Sequence, residues 1–175
     1  MKLIQMNFKF KILFLIIIII CFACNINIDG TTTYNTDSQK PAPSFNIDSI
    51  DKTTQISINK YKNIPVVLNF WFPSCPPCKV EISYLQQLYE EFDGSVQFIG
   101  IQQIGIDSPQ DGLIFIKEKG ITYPMGIGTS KTLLDYKINS YPTTIFIDKN
   151  HKIILRHEGP LSLKSLRNKI NQLIY

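Results

Sequence analysis

One stretch near the middle of the chain specifies a strand, a turn and a helix in immediate succession. Residues 65–71, Pro-Val-Val-Leu-Asn-Phe-Trp, form an apolar run of strand length, typical of a strand buried on both faces of a sheet. Cys75 and Cys78 follow, and Pro76 to Phe92 has the periodicity of an amphipathic helix, with prolines only in its first turn. A thiol at a helix start faces unpaired backbone N–H groups and the positive end of the helix dipole, which favours the thiolate. The pattern predicts a dithiol redox centre.

A Cys-x-x-Cys pair alone also allows a zinc or copper site or a purely structural disulfide. Haem attachment is excluded because Lys79 stands where histidine is required. A structural zinc site needs about four protein ligands. The other soft candidates, His151 and His157, are distant in sequence and separated by an apolar strand, so we expect both on the protein surface.

The first 24 residues have the features of an export signal. A lysine-bearing start leads into the apolar run Ile12 to Cys24, which as a helix would span roughly 20 Å. Because the hydrocarbon core of a bilayer is about 30 Å thick, this length favours a signal segment over a spanning helix. Ala23-Cys24 resembles the cleavage box of bacterial lipoproteins, which makes Cys24 a candidate lipidation site. An uncleaved anchor and soluble export stay open as alternatives.

We therefore divide the chain into a signal or lipoprotein segment (1–24), a flexible tether (25–43) rich in Thr, Asn and Ser, and one domain (44–175). Removal of the signal would leave the domain with only two cysteines, which excludes a multi-bridge disulfide scaffold. Three of the 18 basic residues precede the first acidic one, and the remaining 15 nearly balance the 14 acidic residues. This balance gives no reason to expect nucleic-acid binding.

Periodicity and breaker residues predict an α/β domain with a mixed sheet covered by helices. The predicted order is β-β-β-α-β-α-α-β-β-α. Strands are expected as a pair within 45–58 and at 65–71, 96–101, 143–147 and 152–156; helices at 76–92, 109–119 and 130–136, with a final helix capped by Ser162.

The segment Ser140 to Asp148 contains the second informative motif, Tyr141-Pro142-Thr143-Thr144 at the start of a strand. Together with the strand before Cys75 and the cysteine pair that opens a helix, it resembles the thioredoxin superfamily. More narrowly, residues 42–173 resemble the exported TlpA/ResA-like branch. The resemblance implies a thioredoxin-like fold with a central mixed β-sheet flanked by helices, an N-terminal strand pair and a central β-α insertion at about 96–123. It also accounts for the run Gly-Ile-Thr-Tyr-Pro at 120–124.

The same resemblance implies an activity. Such proteins are membrane-tethered, extracytoplasmic thiol–disulfide oxidoreductases that reduce protein disulfides, apocytochrome c among them, with electrons from a membrane thiol carrier. They need neither an organic cofactor nor a metal. It implies that an exposed Cys75 attacks the substrate, that Cys78 resolves the mixed disulfide, and that a cis Pro142 lies against the sulfurs. The implied substrate-binding residues are Trp71, Tyr141, Pro142 and Thr143.

Glu81 is a candidate catalytic residue from helix geometry. At about 100° per residue it falls in the same arc as Cys78, Ile82 and Leu85, which is the apolar arc of the predicted helix. A carboxyl facing the core is desolvated, so its pKa is expected to rise, which suits a proton shuttle for Cys78. A partly exposed first-turn glutamate is the alternative. The resemblance supports the shuttle, because TlpA/ResA-like proteins have a functional glutamate three residues after the second cysteine; the strand aspartate of cytosolic thioredoxins is replaced here by Asn69.

Two departures from the family pattern bear on specificity. Ser74 replaces the tryptophan that often precedes the first cysteine, and Pro76-Pro77 between the cysteines offers no N–H to the Cys75 sulfur. Three other functions stay as alternatives: a copper or zinc chaperone, a tethered interaction module with a structural disulfide, and a peroxidase. Peroxidases of this superfamily need a Thr and an Arg arranged around the cysteine, and Pro73-Ser74-Cys75 lacks that spacing.

Overall fold

Seven β-strands and four α-helices make up the described part of the chain, residues 39–174 of a computed structural model. The predicted signal segment, the candidate lipidation site Cys24 and most of the predicted tether lie outside the described residues. Within 39–174, no helix combines the length and the apolar character needed to cross a membrane. The strands are β1 (Asn46–Asp48), β2 (Gln55–Ser57), β3 (Val66–Trp71), β4 (Gln97–Gln102), β5 (Met125–Ile127), β6 (Thr143–Ile147) and β7 (Ile153–Glu158). The helices are α1 (Pro76–Phe92), α2 (Pro109–Glu118), α3 (Ser130–Asp135) and α4 (Leu163–Ile174).

The central sheet has five strands in the order β5-β4-β3-β6-β7, and β1 and β2 form a separate antiparallel pair. Strand β3 is parallel to β4 and antiparallel to β6, so the sheet is mixed. These features confirm the thioredoxin-like fold and the N-terminal strand pair. The predicted element order was wrong in one place, because it lacked β5. That strand is only three residues long and includes Gly126, and it exists because it pairs with the end of β4.

The side chains of the sheet alternate between two apolar cores. On one face, residues from β3 and β4 such as Val67 and Phe98 pack with α1, α2 and α4. On the other face, Leu68 and Ile99 pack with the β1–β2 pair and with α3. Every residue of β3 is buried, as its continuous apolar run predicted. The opening of α1 therefore lies at the end of a strand that is held on both sides.

The last residues of the predicted tether pack against the domain. The backbone N–H of Gln39 donates to the carbonyl of Ile153, and the N–H of Ile153 donates to the carbonyl of Lys40, at 2.8 and 2.9 Å. Pro41 forms a β-bridge with Lys152. The last residues of the predicted tether, 39–42, are therefore ordered against the domain. Proline and polar residues hid this pairing, because its bonds are made by the backbone.

Candidate active site

The two cysteines form a disulfide at the first turn of α1, with their Cα atoms 5.3 Å apart. Cys75 is the N-cap of the helix, and its sulfur accepts a hydrogen bond from the backbone N–H of Cys78 at 3.2 Å. Pro76 and Pro77 occupy the first two helical positions and have no N–H, so Cys78 supplies the first donor that the helix offers. A thiolate on Cys75 would meet this donor and the positive end of the helix.

The two sulfurs differ in access. Cys75 is 4% exposed and Cys78 is 0% exposed. We predicted an exposed Cys75, and the structure corrects this: the residue reaches the surface only marginally, because the rings of Phe72 and Tyr141 pack against the cluster that contains it. Those two rings meet edge to face with their centroids 5.3 Å apart. A partner disulfide could therefore approach Cys75 but not Cys78.

Tyr141–Pro142 is a cis peptide bond, as the resemblance implied. Tyr141 is partly exposed and Pro142 is buried beside it. The carbonyl of Pro142 accepts the backbone N–H of Gly159 at 2.8 Å, and the hydroxyl of Thr143 donates to the carbonyl of Ser140 at the same distance. The cis turn is thus held from both sides, and Tyr141 is left as its accessible member.

Two predicted substrate-binding residues are not at the surface. Trp71 and Thr143 are both 0% exposed, so neither offers side-chain area to a substrate. Trp71 packs against Phe115 with ring centroids 5.3 Å apart, beneath the active-site helix. Thr143 lies on a strand that is paired on both sides, with β3 and with β7.

Glu81 lies one helical turn after Cys78 and is 0% exposed, which confirms the core-facing orientation and excludes the exposed alternative. Its Oε2 accepts the backbone N–H of Leu161 at 2.8 Å. Its Oε1 accepts the side-chain N–H of Asn69 at 3.2 Å and the hydroxyl of Thr144. Burial raises the pKa of Glu81 from 4.5 to about 7, and the bonds from Thr144 and Leu161 oppose that rise. A carboxyl with such a pKa can take up or release a proton near neutral pH.

The surface beside Cys75 is organised by a residue that the sequence analysis missed. The Oδ2 of Asp107, in the loop between β4 and α2, accepts both the backbone N–H and the hydroxyl of Ser74 at 2.8 Å each. An adjoining surface depression of about 290 Å³ is lined in part by Lys79 and Ile114. The small polar shoulder predicted at Ser74 is therefore fixed in place by a carboxylate from another element.

The prediction that His157 lies on the surface was wrong. Strand β7 extends beyond its predicted end, and His157 pairs with Thr144, is 1% exposed and faces α4. Burial, and secondarily the charge of Lys169, lower its pKa. His151 lies on a turn, with a ring nitrogen 3.0 Å from the carbonyl of Tyr61. Across residues 39–174, no group of three or more His, Cys, Asp or Glu is arranged to hold a metal ion.

Thr144 and Leu161 are the other functional candidates that sequence reasoning missed, and Asn69 was noted only as the replacement of a strand aspartate. Alternation along β3 puts Asn69 on the same face as Val67 and Trp71, a signal that was available. Thr144 and Leu161 reach Glu81 only through pairing across 63 and 80 residues, which no local pattern reveals.

Comparisons with known proteins agree with this geometry. A family model described as the AhpC/TSA family matches residues 38–156. Thiol-disulfide oxidoreductase ResA of Oceanobacillus iheyensis is 32% identical over 138 residues, which cover 75% of this chain and 70% of that protein. Thiol:disulfide interchange protein DsbE of Escherichia coli is 31% identical over 157 residues, which cover 84% of this chain and 80% of that protein. The solved structure of an exposed lipoprotein thioredoxin from Streptococcus pneumoniae superposes with a TM-score of 0.65 at 25% identity, covering 75% of this chain and 100% of that one.

Proposed function

The chain belongs to the AhpC/TSA family and is a thiol–disulfide oxidoreductase of the ResA and DsbE type, and from this premise we propose that it reduces protein disulfides through Cys75 and Cys78. One observation carries the proposal: the two cysteines open a helix with unequal access, and the less accessible one lies one turn before a buried carboxyl. That arrangement separates an attacking sulfur from a resolving one.

One round of substrate reduction needs no electron carrier beyond the reduced dithiol. The Cys75 thiolate attacks one sulfur of the substrate disulfide, a Cys75–substrate bond forms, and the substrate's own disulfide breaks. The Cys78 thiolate then attacks Cys75, releases the second substrate thiolate and closes the disulfide seen in the structure. Two electrons and two protons pass from the protein to the substrate.

Glu81 is the proposed proton carrier for Cys78. The buried thiol must lose its proton before it can attack, and no water-exposed base reaches a residue that is 0% exposed. Glu81 is buried on the same face of α1, and its pKa of about 7 lets the carboxylate accept that proton near neutral pH. Tyr141 and Pro142 are the proposed docking residues, because the partly exposed Tyr141 packs against the cluster that contains Cys75 and Pro142 forms the cis turn with it. Trp71 and Thr143 are not proposed to touch the substrate.

We further propose that the domain works outside the cytoplasm, tethered to a membrane by a lipid on Cys24. The apolar segment before Cys24 supports this, as does the likeness to a pneumococcal protein described as an exposed lipoprotein. Apocytochrome c is the proposed client and a membrane thiol carrier the proposed electron donor, both from the family resemblance. The mass of the mature N-terminus tests the anchor: an unmodified Cys24 would contradict it.

Trapping experiments test the central proposal. In the reduced protein, Cys78→Ser should accumulate mixed disulfides with insulin or with oxidised apocytochrome c, because the resolving thiol is gone. Cys75→Ser should accumulate none. Equal trapping by both variants would contradict the assigned roles. Hydroperoxide turnover, or retention of stoichiometric copper or zinc after purification, would instead favour the peroxidase or the metal chaperone.

A further inference from the structure

The carboxyl group of Glu81 accepts hydrogen bonds from two segments, and both segments are connected to Pro142. Strand β6 begins directly after Pro142, and the hydroxyl of its second residue, Thr144, donates to Oε1 of Glu81. The loop after β7 begins with Gly159, whose N–H donates to the carbonyl of Pro142 at 2.8 Å, and ends at Leu161, whose N–H donates to Oε2. The two carboxyl oxygens are therefore fixed separately, one by the sheet and one by the loop.

The direction of the Thr144 hydrogen bond follows from its other partner. Thr144 and Asn69 lie directly opposite each other on paired strands, and Asn69 donates its side-chain N–H to the Thr144 hydroxyl oxygen at 2.8 Å. A hydroxyl has one proton, and an ionised carboxylate can only accept. The proton of Thr144 therefore points at Glu81 whenever Glu81 is ionised.

Packing alone does not explain a threonine at this position. Thr144 is 0% exposed, and its neighbours along β6, Ile145 and Phe146, are apolar and equally buried. A buried hydroxyl is costly unless it is hydrogen-bonded, and valine has nearly the same shape without that cost. The hydroxyl is of use only to the Asn69 and Glu81 groups that it contacts.

We propose that Thr144 is a positioning residue of the thiol–disulfide reaction, which orients the Glu81 carboxylate and holds it ionised to receive the proton of Cys78. This inference rests on the proposed role of Glu81. It links β6 to two parts of the reaction: the cis turn before the strand presents Tyr141 to the client, and the second residue of the strand orients the base.

The titration of Glu81 can be distinguished from that of the other titratable groups around it. Cys78 lies on the same helix, Tyr123 precedes β5, and His157 flanks Thr144 on β7 with Lys169 of α4 beyond it. In the disulfide form the cysteines do not titrate. Burial, and secondarily the charge of Glu81, raise the pKa of Tyr123 far above its usual range, and burial lowers that of His157. Infrared spectroscopy separates a carboxyl from an imidazole, so the oxidised protein reports Glu81 directly.

The test is an infrared pH titration of the oxidised protein, with Glu81→Gln as the blank that identifies the carboxyl band. Thr144→Val removes a donor to the ionised form and leaves the burial, so the titration midpoint should move up by about one pH unit. Thr144→Ser keeps a hydroxyl and should restore the wild-type midpoint. Thr132→Val, at a buried threonine of α3 outside the site, should leave it unchanged. Thr144→Ala replaces the valine variant if that protein does not fold.

An unmoved midpoint in Thr144→Val, or a serine variant displaced as far as the valine one, would overturn the proposal. The pH profile of insulin reduction supplies the second readout, and its midpoint should rise with that of the carboxyl. A carboxyl that shifts while the profile stays in place would also overturn the role in the reaction. Absence of insulin reduction by the wild-type protein would instead refute the proposed function, which the titration of the oxidised protein does not test.

Discussion

The two faces of the central sheet are built from the same strands and differ in their chemistry. Toward the β1–β2 pair and α3, β3 and β4 contribute aliphatic side chains such as Leu68 and Ile99, which pack in an apolar core. Toward α1, the next residue of β3 is Asn69, which meets Thr144 and Glu81. Because side chains alternate along a strand, consecutive residues serve different purposes. Both faces carry an apolar core, and the one toward α1 combines packing with a buried ionisable site.

The side of the sheet that faces α1 contains buried polar atoms without hydrogen-bond partners, which lower stability. Within residues 39–174, six buried side-chain polar atoms have no hydrogen-bond partner: Asn69 Oδ1, Trp71 Nε1, Gln102 Oε1, Gln103 Oε1, Tyr123 OH and His157 Nδ1. Those of Asn69, Trp71, Tyr123 and His157 belong to the α1 side. On the opposite side, the guanidinium of Arg156 is bonded to the carbonyl of Tyr136 at 2.7 Å. An unpartnered buried polar atom is destabilising by about 1–3 kcal/mol. The unpartnered polar atoms on the α1 side therefore lower the stability of the fold.

The largest expected effect is a loss of activity on the α1 side of the sheet without a loss of stability. Cys75→Ser should abolish insulin reduction, because it removes the sulfur that can reach a substrate. The variant should unfold at the same denaturant concentration as the reduced wild-type protein, since the substitution is isosteric and near the surface. Substantial residual turnover would show that Cys78 can attack on its own, despite its complete burial.

A cavity in the core between the sheet, the β1–β2 pair and α3 should lower stability without lowering activity. Ile99→Ala should lower the free energy of unfolding by about 2–5 kcal/mol, because Ile99 is 0% exposed and its side chain leaves a void. Turnover per folded molecule and its pH profile should stay at the wild-type level. Urea denaturation and insulin reduction measure the two quantities, and a displaced pH profile would mean that the faces are coupled.

Glu81 should make the stability of the whole protein depend on pH. Its folded pKa of about 7 lies above the 4.5 of an exposed glutamate, so the folded state binds the extra proton between these values. Stability relative to Glu81→Gln should be highest below about pH 4.5 and should fall by about 3 kcal/mol as the pH rises through 7. Parallel denaturation curves of both proteins at pH 5 and pH 8 measure the difference. An equal pH dependence in both would assign a normal pKa to this carboxyl.

The smallest effect on stability and activity is expected at Ser74, on the surface beside Cys75. Ser74→Ala removes one of two hydrogen bonds to Asp107 and keeps the backbone one, so stability should change by about 0.5–1 kcal/mol. Insulin reduction should change by less than about threefold. Asp107→Ala, which removes both bonds, is the matched comparison. A larger loss in Ser74→Ala than in Asp107→Ala would mean that the hydroxyl acts on the substrate rather than on the loop.

The local parts of the fold were predictable from the sequence. The bounds of α1, Pro76 to Phe92, follow from prolines allowed only at a helix start and from Asp93-Gly94, where the chain turns left-handed. The orientation of Glu81 follows from helical periodicity. These features depend on neighbouring residues alone.

The predictions that were wrong concern features that depend on partners distant in sequence. Strand β5 exists through pairing with β4, and His157 is placed by pairing with Thr144 and lies near Lys169 of α4. The same holds for the site: the position of Glu81 on its helix was readable, but the donors that hold it come from β3, β6 and the loop before α4. The two cysteines and Pro142 stand out because their residue types are rare and their spacing is specific.

Strand β7 lies at the border of the central sheet, and the stretch from Gln39 to Ala42 covers its first residues with backbone hydrogen bonds. An uncovered border strand offers its amides to any passing chain and promotes self-association. A recombinant fragment trimmed to begin at Ser44 would expose that border while leaving the redox pair intact. Its expected defect is aggregation on concentration, visible by light scattering, so expression fragments should start before Gln39.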